Sequence, residues 1–363
     1  MAIPLPSLPV AQNRDPLPDR VREQAENRPG VYWMTAGTGE VLYVGKSVRI
    51  RTRLLSYLRA DPGTKAAEIV RTADQIHWHY LPDEFAALLL ELRMIRRWRP
   101  RFNVRHTRSR APAFIRLTRE PAPRILVTSG ARRDGSSYFG PFPAPGRLTR
   151  TVRELAHVLG LRDCPSSTPI HFRDQLDLLD PGRHPLCYRG EIASCPAPCA
   201  GGCTEGDYRR RVDEARAFLE GRSQEPIRQI EAAMVAAARN LRFEHAALLR
   251  DRAARLHELQ STVGDFRGER ESLSFVYRVP GHEGHDHLYV VRAGRVCLHL
   301  PAPPVPRTDP DVRRKVAEAL AGPDLPPEEM GPEQADEIVL VARWFRTHPE
   351  EWERTEPLAR YRS

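Results

Sequence analysis

A chain of 363 residues, with 40% hydrophobic and 28% charged side chains, is long enough for two or three compact units. It holds no apolar run near the ~20 residues that a membrane-spanning helix needs, which excludes a helical membrane protein. The formal net charge of +9 and pI near 9.5 favour a polyanionic partner such as nucleic acid, although Lys46, Lys65 and Lys315 are the only lysines and GC-biased codon usage raises Arg by itself.

The start of the chain ("MAIPLPSLPVAQNRDPLPDR") lacks the charged-then-apolar order of a secretory signal. Prolines at 4, 6, 9, 16 and 18 predict an extended leader over residues 1–24 of a cytoplasmic protein. From about 25 to 105, strand and helix patterns alternate. "GVYWM" and "EVLYVG" are β-branched and aromatic runs joined by "TAGTG", which predicts a hairpin. "VRIRTRLLSYL" and "EFAALLLELRMIRRW" have helical spacing, and "QIHWHYL" alternates as a third strand. The expectation is an α+β fold that begins with a small α/β sandwich on an antiparallel sheet.

Strands return at "AFIRLT", "RILVTSG" and "SSYFGPF", followed by a helix containing "LTRTVRELAHVLGL". Residues 164–203 are rich in Pro and Gly and hold five of the six cysteines. Two long helices are expected over 206–238, interrupted near 223–226, and over 242–261, as an antiparallel pair. The apolar face of the second runs through Leu241, Ala246, Ala247, Leu249, Ala253 and Leu256. The tail from 270 shows two strands ("LSFVYRV", "HLYVVRAGRVCLHL"), a Pro-rich break and two helices. "HEGHDH" within it reads as an exposed loop rather than a metal site.

The Gly45–Lys46 pair invites comparison with a phosphate-binding loop. Such a loop places four residues between its glycines, whereas five separate Gly39 from Gly45, and these are strand formers. The other reading starts from strand pairing. Tyr32 and Tyr43 converge on neighbouring strands, Lys46 follows at the strand end, and Arg53 and Tyr57 lie one helical turn apart on one face. Phenols and cations suit phosphodiester chemistry, because a cation stabilises charge developing on phosphoryl oxygens and a phenol of lowered pKa activates water. Aromatic core packing beside a solvated basic helix accounts for the segment equally well.

Residues 28–104 resemble the GIY-YIG nuclease domain, in the form found at the N-terminus of the excinuclease subunit UvrC. The resemblance rests on "RPGVY", "LYVGKS", the Arg53 and Tyr57 spacing, "LLLELRMIRRWRPRFNV" and "YFGPFP". It implies that Glu91 is the ligand of a single Mg²⁺ or Mn²⁺ ion, and that Asn103 helps hold the site. It implies Tyr32 or Tyr43 as general base with Lys46 lowering its pKa, and Arg53 and Tyr57 as contacts of the scissile phosphate. The chain departs from the family at Ala86 and Arg93, where the family usually has Glu and Asn. The Arg-rich stretch 93–110, with Arg97, Arg99 and Arg101, would track a DNA backbone; a solvated basic face is the plainer alternative.

Cys164, Cys187, Cys195 and Cys199 lack the C-x2-C pairs of zinc ribbons. "LCYRGEIASCPAPC" resembles a UvrC-family segment whose four cysteines hold a 4Fe-4S cluster, with Cys203 additional. "F-E-x-A-A-x-x-R-D", with Phe243, Glu244, Arg250 and Asp251, resembles the UVR motif, which implies docking onto a UvrB-like partner. The expected division is therefore leader 1–24, nuclease domain 25–110, linker with cysteines 111–205, UVR-like hairpin 206–264 and a small α+β region 265–363. The resemblance extends to short, Cho-like forms or the UvrC-like half of exonuclease fusions, because no RNase H-like carboxylate set follows. It implies an endonuclease of nucleotide excision repair that acts on damaged double-stranded DNA, 3′ to the lesion and with UvrB. The second reading is a catalytically silent DNA- or UvrB-binding accessory protein.

Overall fold

The computed structural model describes residues 17–103, 112–143, 145–175, 185–322 and 324–361. Two compact units emerge. One combines the chain up to 109 with 272–324 and 336–363; the other comprises 110–271 and 325–335. Residues 1–16 of the expected leader and 104–110 of the Arg-rich stretch lie outside the described residues.

The first unit opens with helix α1 (Leu17–Gln24). The leader is therefore not extended throughout: Pro18 falls in the first helical turn, where a missing N–H costs nothing. Strands β1 (Gly30–Thr35), β2 (Val41–Ser47) and β3 (Gln75–Tyr80) form an antiparallel sheet in the order β2-β1-β3. All six β1 residues are buried, because helices cover both faces of this central strand. On one face lie α2 (Ile50–Leu58) and α3 (Lys65–Thr72). At eight residues α3 is too short to show an apolar period; its legible signal is the Thr64 cap, whose hydroxyl accepts from Ala67 N–H at 3.2 Å.

The other face carries α4 (Glu84–Trp98), capped by Asp83, which accepts from Ala86 N–H at 2.8 Å. Arg99 ends it in the left-handed region at φ 47°. Phe85, Leu89, Leu90, Met94 and Ile95 of this helix are buried in the same cluster as Val31, Trp33 and Val44.

The second unit holds a sheet of β4 (Ala113–Leu117), β5 (Ile125–Thr128) and β6 (Ser137–Phe142) in the order β5-β4-β6. Helix α5 (Pro145–Val158) packs on it. Three helices follow the cysteine segment: α6 (Glu205–Leu219), α7 (Glu225–Arg239) and α8 (Phe243–Ser272). The expected interruption falls at 220–224 and separates two helices, and α8 runs eleven residues past the expected end at 261.

The tail contributes β7 (Phe275–Val279), β8 (His287–Arg292) and β9 (Arg295–Pro301), and after them α9 (Pro310–Leu320), α10 (Pro332–Thr347) and the short β10 (Thr355–Pro357). "HLYVVRAGRVCLHL" is a hairpin rather than one strand, turning at Ala293 (φ 48°) and Gly294 (φ 79°). This sheet does not stand apart from the first domain. Tyr277, Tyr289, Trp344 and Phe345 share one apolar cluster with α4 and β1. Phe85 meets Tyr277 edge-on at 5.2 Å and Tyr289 at 5.1 Å, pairs worth roughly 0.5–1.5 kcal/mol each. Of "HEGHDH", His282 and His285 lie in an exposed turn, while His287 opens β8 with its ring stacked on His299. Among the described residues no helix is long and apolar enough to cross a membrane.

His77 stacks on Trp33 and bonds Thr35 at 3.2 Å, and burial holds its pKa down to about 4; burial and then His287 do the same for His299. Both bind protons more readily unfolded, so their contribution is complete above the unfolded value of ~6.5 and is lost as pH falls toward 4. Melting temperature is expected to be flat above pH 7 and to drop between pH 6.5 and 4. His77→Gln should make that drop shallower in the same thermal melts.

Candidate active site

Two glycines shape the hairpin. Tyr32 sits opposite Gly45 in the β1–β2 register, and a Cβ at Gly45 would lie 2.5 Å from the Tyr32 hydroxyl. A Cβ at Gly30 would lie 2.3 Å from the His79 carbonyl oxygen on β3. The glycines of "GVY" and "YVG" are thus spaces, one for a phenol and one for a neighbouring strand.

That space lets three phenols gather. Tyr32 lies 6.1 Å from Tyr43 and 5.8 Å from Tyr57 between ring centroids, and Tyr43 lies 5.7 Å from Tyr57. Arg53 Nε donates to Tyr32 Oη at 3.2 Å while its guanidinium covers the Tyr57 ring at 4.9 Å. Lys65, at the start of α3, places its ammonium 5.9 Å from the Tyr43 ring. It escaped the sequence reading because nothing before the fold brings α3 to this cluster.

β2 is an edge strand, and two side chains and one backbone N–H complete its outer edge. Asn103 accepts from Val44 N–H at 2.8 Å and donates to the Val44 carbonyl at 2.7 Å. Phe102 N–H donates to the Leu42 carbonyl at 3.1 Å. Lys46 N–H donates to Glu91 Oε1 at 3.1 Å, so the α4 carboxylate is held against the end of β2. The Lys46 ammonium bonds Glu84 at 2.6 Å rather than a phenol, which differs from the expected role beside a tyrosine.

Burial, then the neighbouring phenols, pushes the Tyr32 pKa far up, with Arg53 offsetting part of the rise. Tyr43 is also raised, by burial first, then by Tyr57 and by the Glu91 carboxylate. Tyr32 is fully buried, whereas Tyr43 is half-exposed and is the one of the two that feels Glu91. Among the described residues no group of three or more His, Cys, Asp or Glu side chains is placed to hold a metal ion. Glu91 fits an ion that takes few protein oxygens and fills its shell with water and phosphate, as Mg²⁺ does.

The Arg-rich end of α4 divides by partner. Arg93 pairs with Glu337 at 3.4 Å and Arg96 with Asp336, both on α10. Arg97, Arg99 and Arg101 are exposed, with Arg101 over the Phe102 ring at 5.1 Å.

In the cysteine segment, Cys195 and Cys203 are buried, Cys164 and Cys199 half-buried and Cys187 exposed. Burial raises the Cys199 pKa and Cys164 and Cys187 raise it further; Cys195 is raised by burial and by Cys199 and Cys164. Cys199 thus lies within electrostatic reach of Cys164 and Cys187, and Cys195 within reach of Cys199 and Cys164. The buried Arg162 guanidinium donates to Cys164 Sγ at 3.2 Å. Cys203 belongs to the apolar core of its unit, where burial pushes its thiol up to about 11.

Helices α7 and α8 meet through 240–242. Leu249, Ala253 and Leu256 are buried as their spacing predicts. Leu241 is not on that face: it occupies the turn at φ 58° and is 74% exposed. Phe243 and Leu248 are exposed beside it, as are Glu244, Arg250 and Asp251, the last two paired with each other at 2.9 Å.

Three family descriptions match consecutive parts of the chain. They are "UvrC-like GIY-YIG domain" over 28–104, "UvrC/Cho excinuclease, middle domain" over 113–218 and "UvrB/uvrC motif" over 224–259. The UvrABC system protein C of Desulforudis audaxviator is 34% identical over 274 residues, covering 74% of this chain and 42% of that protein. That of Alcanivorax borkumensis is 32% identical over 315 residues, covering 86% of this chain and 50% of its own. The chain thus spans no more than half the length of these curated relatives. The crystal structure of the GIY-YIG N-terminal endonuclease domain of UvrC from Thermotoga maritima, bound to its catalytic magnesium, is 34% identical. It covers 24% of this chain and 98% of that domain, with a TM-score of 0.22.

Asn103 is buried and bonds both polar groups of Val44, so Asn103→Ala should leave that strand edge unpaired. The expected cost is roughly 1–3 kcal/mol, measured as a lower urea midpoint at unchanged slope.

Proposed function

We propose that this chain, which belongs to the UvrC-type family of GIY-YIG proteins, is a metal-dependent endonuclease of nucleotide excision repair. It would cut the damaged strand of double-stranded DNA on the 3′ side of the lesion, in the cytoplasm. The observation that carries this reading is the Glu91 carboxylate, held by Lys46 N–H at the end of the "YVG" strand, beside three phenols and Arg53.

A single Mg²⁺ or Mn²⁺ ion on Glu91 would supply Lewis acidity toward a phosphoryl oxygen and offset the carboxylate charge, which after burial and Tyr57 adds to the rise at Tyr43. Tyr43, half-buried and beside Glu91, is the better placed of the two, and it would take a proton from water as the phenolate, after giving up its own proton. Tyr32, buried and bonded by Arg53, fixes the guanidinium that would meet the scissile phosphate together with Tyr57. Lys46 acts mainly through its backbone, and its ammonium orients Glu84. Arg97, Arg99 and Arg101 are open to the DNA backbone.

The tip of the α7–α8 hairpin supports a protein partner. Leu241 and Phe243 at the turn and Leu248 in the second turn of α8 are large and exposed, rimmed by Glu244, Arg250 and Asp251. This suits a UvrB-like hairpin of the same design, which would bring the enzyme to its lesion. Cys164, Cys187, Cys195 and Cys199 are proposed as ligands of a 4Fe-4S cluster. The influence of Cys164 and Cys187 on Cys199, and of Cys199 and Cys164 on Cys195, supports a group shared by the four thiols, whose negative charge the Arg162 guanidinium at Cys164 Sγ would offset. Its role would be structural, stapling a segment of low apolar content.

Wild type and Glu91→Ala can be compared on a damaged duplex preloaded with UvrB in Mg²⁺. Wild type is expected to cut and Glu91→Ala to lose at least ~100-fold in rate. Two intact strands would leave the accessory-protein reading, and equal cutting would refute the metal assignment. Protein purified without oxygen should be brown, with a visible sulfur-to-iron absorption band lost in Cys195→Ser. A colourless, zinc-loaded preparation would overturn the cluster.

A further inference from the structure

Helix α10 does more than cover α4. Its residues Leu340, Arg343, Trp344, Thr347 and His348 form one wall of a cleft of about 220 Å³. The opposite wall carries Lys46, Glu84 and Glu91, so the cleft opens directly beside the carboxylate at the centre of the candidate site. We propose that this cleft is a phosphate subsite, in which Arg343 and His348 hold a DNA phosphate next to the scissile one. The proposal rests on the nuclease reading above and deepens it.

The wall is built rather than incidental. Trp344 is buried, and its indole N–H donates to Tyr277 Oη at 3.3 Å, which in turn donates to Glu351 at 2.7 Å. The pairs Arg93–Glu337 and Arg96–Asp336 fix the preceding turns of α10 along α4. His348 stacks on Trp344 at 4.1 Å, and its Nδ1 lies 3.1 Å from the Trp344 carbonyl oxygen. Nδ1 also lies 3.0 Å from the Thr347 hydroxyl, so both local contacts occupy Nδ1 and a phosphate contact falls to Nε2.

Charge argues for the occupant. Lys46 is paired with Glu84 across the cleft floor, whereas Arg343 is exposed and has no ion-pair partner among the described residues. Once a divalent ion offsets Glu91, the cleft carries excess positive charge contributed from the tail. An anionic, extended ligand suits a cleft that joins Glu91 to α10, and a DNA strand with a phosphate at each nucleotide is such a ligand. Arg suits this position because its planar donors bind phosphate oxygens in pairs.

The test measures binding apart from cutting. The full chain is titrated onto a fluorescein-labelled DNA duplex at several NaCl concentrations, with Ca²⁺ replacing Mg²⁺ to suppress hydrolysis. Arg343→Ala should weaken binding roughly 3–10-fold and reduce the slope of log affinity against log salt by about 0.9, the signature of one lost phosphate contact. His348→Ala should weaken it less, and Arg343→Lys should recover the slope. Arg314→Ala removes the same charge far along the tail, on α9, and should leave both quantities unchanged. Melting temperatures of all four variants should match wild type. Unchanged affinity and slope in Arg343→Ala would overturn the subsite, as would an equal effect from Arg314→Ala, a Lys variant that restores nothing, or no duplex binding at low salt. Cutting assays separate the two readings. Salt-dependent binding through Arg343 without any cleavage would sink the nuclease and keep the subsite; cleavage with no Arg343 effect would do the reverse.

Discussion

An edge strand must hide its unpaired N–H and C=O groups from other chains, and β2 does so with two side chains of the site, Asn103 and Glu91, and the backbone N–H of Phe102. Asn103 takes both polar groups of Val44, Phe102 takes the Leu42 carbonyl, and Glu91 takes the Lys46 N–H. Closing the edge and placing the carboxylate are therefore one event. Loss of this pairing would remove one tie between Glu91 and the end of β2, while the apolar packing of α4 against Val44 would remain. The glycines act in the same register, since Gly45 makes room for Tyr32 only while these two residues stay opposite each other.

The tail extends the same logic to the far side of α4. Ala86 is fully buried in the cluster that holds Tyr277 and Trp344, where a Glu would bury an unpaired carboxylate at a cost of several kcal/mol. Arg93 reaches Glu337 on α10. The two positions at which this chain departs from the family pattern are thus both explained by the tail packed on α4. They are adaptations of the helix surface, and the residues around Glu91 keep the arrangement described above.

Order in the second unit is obtained differently. The cysteine segment has little periodic apolar pattern, and its backbone is held by bonds between its two ends such as His171 N–H to the Pro198 carbonyl and Arg173 N–H to the Cys203 carbonyl. Arg162 is the polar hub beneath it: buried, it bonds the Ala122 and Pro165 carbonyls, Glu120 and Cys164. A buried guanidinium with so many acceptors ties the loop to β4 and β5 through groups that no hydropathy pattern reports. The α7–α8 hairpin instead relies on one apolar seam from Leu249 to Val263 and leaves its tip uncovered.

Much of this was legible from residues alone. Strand alternation located β1 to β6, helical spacing located α2, α4 and α5, and "GVY" with "YVG" marked a hairpin whose phenols would converge. Those features depend on neighbours within a few residues or on a single turn, so local chemistry determines them. The helices α1 and α3 were missed because eight residues carry too little periodicity, and the tail hairpin was missed because Ala293–Gly294 is a weak turn signal inside an apolar run. What no local pattern could decide was partnership across the chain: Lys46 with Glu84 rather than a tyrosine, Arg93 and Arg96 with α10 rather than solvent, Leu241 at an exposed turn rather than on a buried face. Sequence determines which side chains are available and how each element is faced. Only the packing of elements separated by up to 250 residues decides which charge finds which partner, because pair energies depend on distances that spacing along the chain does not contain.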